Sequence, residues 1–386
     1  MSLRVLSIFG TRPEAVKMAP VVQALARTPQ VVSLVCVTAQ HRQMPDQVLG
    51  LFDIRPDVDL DLMQPDQDLA SLTAAIISHL DPVLADLKPD WILVQGDTTT
   101  VLASSLVAFY RHIRVGHVEA GLRTHDKWQP FPEEINRRLA SVVTDLHFAP
   151  TEWARQNLLR ENIPAQQIII TGNPVIDALQ QVARMPATPT VLDLFQRIGI
   201  PYHAYVPSGN VIEGSPRLVL VTAHRRENFG QPLEHICAAL NRLAEIYQEG
   251  IRIVYPLHLN PNVQVPVHRL LDGITNVTLL EPLDYLPMVN LMRHASLVLT
   301  DSGGLQEEAP ALGKPVLVMR RVTERPEGVQ AGTVHLVGTD PEVIVAETCH
   351  LLDDPQAYTA MAQAINPYGD GKAAPRIVDA ILEAGG

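Results

Sequence analysis

The sequence predicts an α/β protein made of two successive doubly wound halves. Three observations carry this prediction. Short runs of four to seven apolar residues recur along the chain, separated by amphipathic stretches. Such uninterrupted apolar strands, spaced by helices, belong to parallel sheets covered on both faces. The alternation breaks over Met185–Pro216, where Pro186, Pro189, Pro201, Pro207 and Pro216 mingle with Gly199, Gly209 and Gly214, and then it restarts. The polar residues with chemical potential fall just after predicted strands, where ligands bind in open α/β sheets.

In the first half, Leu3–Phe9 reads as a buried strand and Gly10-Thr11-Arg12-Pro13-Glu14 opens a helix toward Ala26. Val31–Val37, Trp91–Gln95, Val115–Val118, Leu146–Ala149 and Ile168–Thr171 are the following strands. The helices are Leu69–Leu87, Thr99–Tyr110, Pro132 to about Val143, Thr151–Glu161 and Pro174–Ala183. The inter-domain connection is placed near the start of Met185–Pro216, and its later part, Tyr202–Ser215, as an exposed loop. The second half carries strands Leu218–Thr222, Ile251–Tyr255, Val277–Leu280, Leu297–Thr300 and Pro315–Met319. Its helices are Leu233–Gln248, Asp284–Arg293, Leu305–Ala311 and Pro341–Leu352, and Ala374–Glu383 ends the chain. The expected domains are therefore 1–184 and 185–369, with a ligand cleft between two sheets.

Composition narrows the function. Of 386 residues 46% are apolar and 19% charged, so cores are well supplied and wholesale disorder is excluded. The net charge of −12 argues against a nucleic-acid or anionic-membrane partner, though not against a local cationic pocket. Cys36, Cys237 and Cys349 are too few and scattered for a disulfide framework or a zinc site. No signal peptide is read at the start, and no apolar run reaches the ~18 residues of a membrane span. The expectation is a soluble, cytoplasmic protein.

Six clusters, five of them at strand ends, hold the candidate chemistry. Gly10-Thr11-Arg12-Pro13-Glu14, with Lys17 one turn on, sets a glycine turn and two cations at a helix N-terminus, which suits a phosphate. Gln95-Gly96-Asp97-Thr98 puts a carboxylate at a strand end, where a plain N-cap is the alternative. His117 and Glu119 alternate into a glycine turn, and a carboxylate buried there is expensive unless paired or protonated. Glu133 and Glu134 stand in a first helical turn, a place the helix dipole also favours. In the second half, Thr222-Ala223-His224-Arg225-Arg226 resembles a diphosphate seat. Asp301-Ser302-Gly303-Gly304 offers backbone amides to phosphate oxygens, with Glu308 deeper in the helix for ribose and Arg325 on the same rim.

Other patterns fail. Asp57, Asp59 and Asp61 alternate with Val58, Leu60 and Leu62, as a half-buried strand would, so no metal motif is read there. His258 and His268 lack ligand partners at metal spacing. Neither a dinucleotide Gly-x-Gly-x-x-Gly nor a hydrolase Gly-x-Ser-x-Gly occurs.

Taken together, these clusters closely resemble the non-hydrolysing bacterial UDP-N-acetylglucosamine 2-epimerases. The resemblance runs from Gly10 to Gly371, in order, through Gly10–Glu14, Gln95–Thr98, His117–Thr124, Pro132–Arg137, Thr222–Asn228, Asp301–Glu308 and Thr323–Gly328. It implies a glycosyltransferase-B-like fold of two Rossmann-like domains, with a C-terminal helix, about 370–386, packed back on the first. It also implies a homodimer, UDP-GlcNAc and UDP-ManNAc as ligands, and no metal or NAD cofactor. The implied chemistry is anti elimination of UDP to 2-acetamidoglucal, followed by syn re-addition.

By this resemblance Asp97, Glu119, Glu133 and His224 form the catalytic set. Arg12, Lys17, Arg225, Ser302, Gly303, Gly304, Glu308 and Arg325 bind the substrate and its UDP. Gln40, His41 and Gln43, together with His258, resemble an adjoining site at which UDP-GlcNAc activates. Asp66 and Met288 depart from the family pattern, where an arginine and an aromatic are usual: the first removes a cation from the activator's diphosphate and the second weakens one uracil contact. A glycosyltransferase of this fold, a hydrolysing epimerase and a nucleotide-sugar sensor are the alternatives. The intact set of Asp97, Glu119, Glu133 and His224 argues against the sensor.

Overall fold

A computed structural model describes residues 2–38, 43–62, 67–202 and 215–385, with side chains at 43–46 excepted. The chain forms two compact units, Met1–Ala178 with Tyr368–Gly386, and Leu179–Pro367.

Unit 1 holds a parallel sheet of β1 (Leu3–Phe9), β2 (Val31–Val37), β3 (Val58–Asp59), β4 (Trp91–Gln95), β5 (Arg114–Val118), β6 (Leu146–Ala149) and β7 (Ile168–Ile170). The strand order is β3-β2-β1-β4-β5-β6-β7. The chain winds outward one way from β1 and the other way from β4. The loops after these two neighbours therefore flank the switch point, where open α/β sheets bind ligands. Leu6, Ile8, Ile92 and Val94 are fully buried beneath the helices Leu69–Leu87 and Thr99–Tyr110. Each such side chain contributes roughly 1.5–3 kcal/mol.

The C-terminal helix Ala373–Gly385 belongs to unit 1 and packs on the helix Arg12–Ala26. Asp177 anchors its start, accepting the backbone N–H groups of Ala373 (3.1 Å) and Ala374 (2.9 Å). Burial pushes the Asp177 carboxyl upward in pKa, against these hydrogen bonds. The returning chain passes so close that a Cβ on Gly172 would lie 3.2 Å from the Gly369 Cα, tighter than an ordinary contact, and its φ of 85° also favours glycine.

Unit 2 repeats the plan with β8 (Arg217–Thr222), β9 (Ile251–Pro256), β10 (Val277–Leu280), β11 (Ala295–Thr300), β12 (Val316–Val318) and β13 (Val334–Leu336). All pairs are parallel, in the order β10-β9-β8-β11-β12-β13. Here the switch point lies between β8 and β11, and Thr222 pairs in register with Thr300. Val219, Val221, Ile253, Leu297 and Leu299 form the core under the helix Gln231–Tyr247.

The structure corrects the sequence reading between 185 and 216. Pro189–Ile198 is a helix, not part of a break. Val191, Leu194, Phe195 and Ile198 are its buried stripe, and Gly199 ends it in the left-handed region (φ 67°). The helices Pro261–Leu271, Pro326–Gln330 and Pro355–Ala362 also escaped the sequence reading. All four begin on proline, whose missing N–H costs nothing in the first turn. Pro189, which counts toward the break in sequence, is a helix start. The chain passes between units at Leu179, inside the helix Pro174–Ala183, where no composition change marks it. The segment 203–214 lies outside the described residues. Among the described residues, no helix is long and apolar enough to cross a membrane.

Candidate active site

In unit 1, the loops after β1, β4 and β5 come together because these strands are neighbours. Glu14 ties the first two loops. One oxygen accepts the N–H groups of Gly10 (2.9 Å) and Thr11 (2.7 Å), and the other accepts the Thr98 hydroxyl (2.5 Å). Burial raises the Glu14 pKa, while these donors pull it back down.

Glu119 follows β5 with φ of 63°, a left-handed conformation uncommon and strained for a residue with a Cβ. Its buried side chain is saturated with donors. Lys17 Nζ lies 2.6 and 2.7 Å from its two oxygens, Asn173 Nδ2 donates at 2.9 Å, and Gln95 Nε2 donates to the second oxygen. Lys17, expected against a phosphate, is thus placed against Glu119. Gly121, two residues on, lies under Ala154, whose carbonyl oxygen would meet a Cβ there at 2.3 Å. This close approach demands glycine.

Asp97 sits at the switch point after β4, its side chain 32% exposed, with Arg137 Nη2 at 3.1 Å. Asn136 Nδ2 donates to its backbone carbonyl at 3.0 Å. His117 donates from Nε2 to the Gly96 carbonyl at 2.7 Å, holding the turn that presents Asp97. Burial pulls the His117 pKa down to about 4, so the ring is neutral. The two adjacent glutamates of the helix Glu133–Val142 part company. Glu134 is buried and accepts the N–H groups of Thr124 (3.0 Å) and His125 (3.2 Å), a structural role. Glu133 keeps one buried oxygen with no hydrogen-bond partner. Arg12 opens the helix Arg12–Ala26 and is half-buried.

In unit 2, the loops after β8 and β11 meet in the same way. Asp301 is completely buried. One of its oxygens accepts the backbone N–H groups of His224 (2.9 Å) and Arg225 (2.8 Å) and the Asn228 amide (3.0 Å). His224 stacks on His258, ring centroids 5.4 Å apart at 12°. Burial lowers the His224 pKa, Asp301 opposes this, and His258 and Arg225 reinforce it.

Ser302 precedes the helix Gly303–Ala311, whose first residues are the glycine pair. A Cβ on Gly303 would lie 3.0 Å from Glu324 Oε1 and 3.1 Å from the Arg325 guanidinium. Glu324 gathers three arginines: Arg225 (3.1 Å), Arg320 (2.6 Å) and Arg325 (3.2 Å). Despite burial, those guanidiniums, Arg325 foremost, bring its pKa down to about 2. Arg325 is held in turn by Glu307 at 2.6 Å. Glu308 accepts the Tyr285 hydroxyl at 2.7 Å, and Met288 lies half-buried on the helix Tyr285–His294. Gln40, His41 and Asp66 lie outside the described residues, and Gln43 begins the helix Gln43–Leu51.

Several residues of these clusters escaped the sequence reading: Gln95, Asn173, Arg137, Asp301, Asn228, Glu324, Arg320 and Tyr285. Gln95, Arg137, Asn228, Asp301 and Glu324 stand inside the quoted motifs, so proximity is a usable signal. Asn173, 54 residues from Glu119, had none.

Two Rossmann-like parallel sheets, one presenting carboxylates and the other a glycine turn ringed by arginines, define a nucleotide-sugar enzyme of the glycosyltransferase-B-like class. The family profile described as UDP-N-acetylglucosamine 2-epimerase matches residues 23–382. The chain is 56% identical to the UDP-N-acetylglucosamine 2-epimerase of Salmonella typhimurium over 98% of each chain. It is also 56% identical to that of Escherichia coli K12, again over 98% of each. The structure of the Neisseria meningitidis UDP-GlcNAc 2-epimerase bound to UDP-GlcNAc superposes with a TM-score of 0.89, at 49% identity, over 99% of this chain and 100% of that one. The chain belongs to the UDP-N-acetylglucosamine 2-epimerase family. It is an isomerase, and its reaction is epimerisation at C2 of the sugar.

Proposed function

We propose that this chain interconverts UDP-GlcNAc and UDP-ManNAc without net hydrolysis, and so supplies ManNAc units for cell-surface polysaccharide. It works in the cytoplasm as a homodimer. The gathering of Asp97, Glu119 and Glu133 at the ends of β4 and β5 and the adjoining helix carries this reading. A plain transferase has no need of several carboxylates around C2.

In the elimination, a base takes the C2 proton, a C1–C2 double bond forms, and the C1–O bond breaks with its electrons leaving on UDP. Re-addition returns a proton to the opposite face of C2 and the UDP oxygen to C1. Asp97, partly open and held by Arg137, and Glu119, oriented by Lys17, Asn173 and Gln95, are the proton-shuttling pair. Glu133 positions them. His224 stabilises the departing diphosphate, with Arg12 and Arg225 adding positive charge. Ser302, Gly303, Gly304 and Arg325 hold the phosphates, and Glu308 the ribose. The Neisseria meningitidis relative bound to UDP-GlcNAc supports the choice of substrate.

The test is proton NMR of UDP-GlcNAc with the protein in deuterium oxide. Deuterium entering C2 while UDP-ManNAc rises to a plateau is the expected result. Release of free ManNAc and UDP would replace this reading with the hydrolysing one. Asp97→Asn is expected to bind UDP within several-fold of the parent protein and to lose turnover.

A further inference from the structure

We propose that Asp301 is the positioning partner of His224, fixing which nitrogen of the imidazole carries the proton. Three donors crowd onto one Asp301 oxygen: the backbone N–H groups of His224 and Arg225, and the Asn228 amide. The other oxygen, Oδ1, is buried and has no hydrogen-bond partner. It lies 3.6 Å from His224 Nδ1. A buried acceptor left open is expensive, and one aimed at a ring nitrogen has an evident use.

The separation is longer than a formed hydrogen bond, as pairs of this kind often are before substrate tightens them. The geometry permits one arrangement of the neutral ring. Nδ1 carries the proton toward Asp301, and Nε2 is left with its lone pair for a ligand. When the ring takes a second proton, Nε2–H becomes the donor and Asp301 the counter-charge. The His258 stack holds one face of the ring, so the carboxylate on its edge completes the orientation. The same logic operates wherever a buried carboxylate stands behind a histidine. Asp301 touches no reacting atom in this scheme.

The inference rests on His224 acting at the diphosphate, and the tests separate the two. Nitrogen-15 NMR of the imidazole in the unmodified, ligand-free protein reads the tautomer directly. Neutral His224 is expected to carry its proton on Nδ1; a proton on Nε2 overturns the proposal whatever His224 does in turnover. Asp301→Asn keeps an oxygen for the three donors and presents an amide to Nδ1, which forces the proton to Nε2. Its kcat is expected to fall at least a hundredfold, with UDP affinity within about threefold. The charged and titratable groups facing His224 are Asp301, His258 and Arg225. Loss of the Asp301 charge should therefore move the His224-dependent limb of the kcat profile to lower pH. A kcat within threefold of the parent, or an unmoved tautomer, overturns the proposal. Full turnover in His224→Asn would instead remove the role assigned to His224 and leave the tautomer result standing.

Discussion

Lys17 and Glu119, 102 residues apart in sequence, form a two-point ion pair: the ammonium lies 2.6 and 2.7 Å from the carboxylate oxygens, and both side chains are largely buried. The sequence reading gave these residues separate tasks, one at a phosphate and one at a proton. Their pairing means that neither is set independently. Lys17 holds the charge that allows a carboxylate to sit at 4% exposure in a left-handed backbone turn.

Lys17→Met should therefore destabilise unit 1 by about 3–5 kcal/mol, since it strands a buried carboxylate. Denaturant unfolding measures this. Adding Glu119→Gln to Lys17→Met should recover most of the loss, while turnover stays abolished. A single variant that unfolds like the parent would show that the pair does not carry the turn.

Glu14 makes a comparable prediction without touching substrate. Glu14→Ala removes the acceptor for Gly10, Thr11 and Thr98 and uncouples the loops after β1 and β4. The loss of stability should be about 1–3 kcal/mol, with kcat reduced more than KM is raised. Glu14→Gln, which keeps one acceptor oxygen, should fall between the parent and alanine. Equal effects of the two changes would rule out the hydrogen-bond account.

Acid stability should depend on two histidines paired across β5 and β6, His117 and His147. Burial lowers their pKa values to about 4 and about 3. A depressed histidine stabilises the fold fully above its unfolded pKa near 6.5. As pH falls, the unfolded chain takes up the proton first, and stability drops until the folded pKa is reached. For fully buried His117 the contribution is on the order of 3 kcal/mol. Melting temperature should thus decline from about pH 6.5 downward. His147→Phe should flatten part of that decline, and an unchanged slope would count against it.

At the glycine pair, Gly303→Ala should weaken UDP binding by roughly tenfold, about 1.4 kcal/mol, with little change in melting temperature. The added methyl group must displace the Glu324 and Arg325 side chains, which stand 3.0 and 3.1 Å from it. Calorimetric titration with UDP measures the loss. Undiminished affinity would remove this turn from the phosphate site.

Much of the fold was legible because its signals are local. The strand Leu3–Phe9 and the helix Leu69–Leu87 were read with the bounds the structure has, since apolar period alone defines them. The helix Pro189–Ile198 has a plain period, but its first-turn proline reads as a stop in sequence. At the site, position after predicted strands and the family resemblance single out Asp97, Glu119, His224 and the Gly303-Gly304 turn. Which glutamate of the Glu133-Glu134 pair caps a loop, which cation faces Glu119, and which acid stands behind His224 were decided in three dimensions. Those outcomes depend on strand order, which sets β4 between β1 and β5, and β8 between β9 and β11. Hydrogen-bond range is about 3 Å, so a partner is chosen by which strand ends are neighbours and not by distance along the chain.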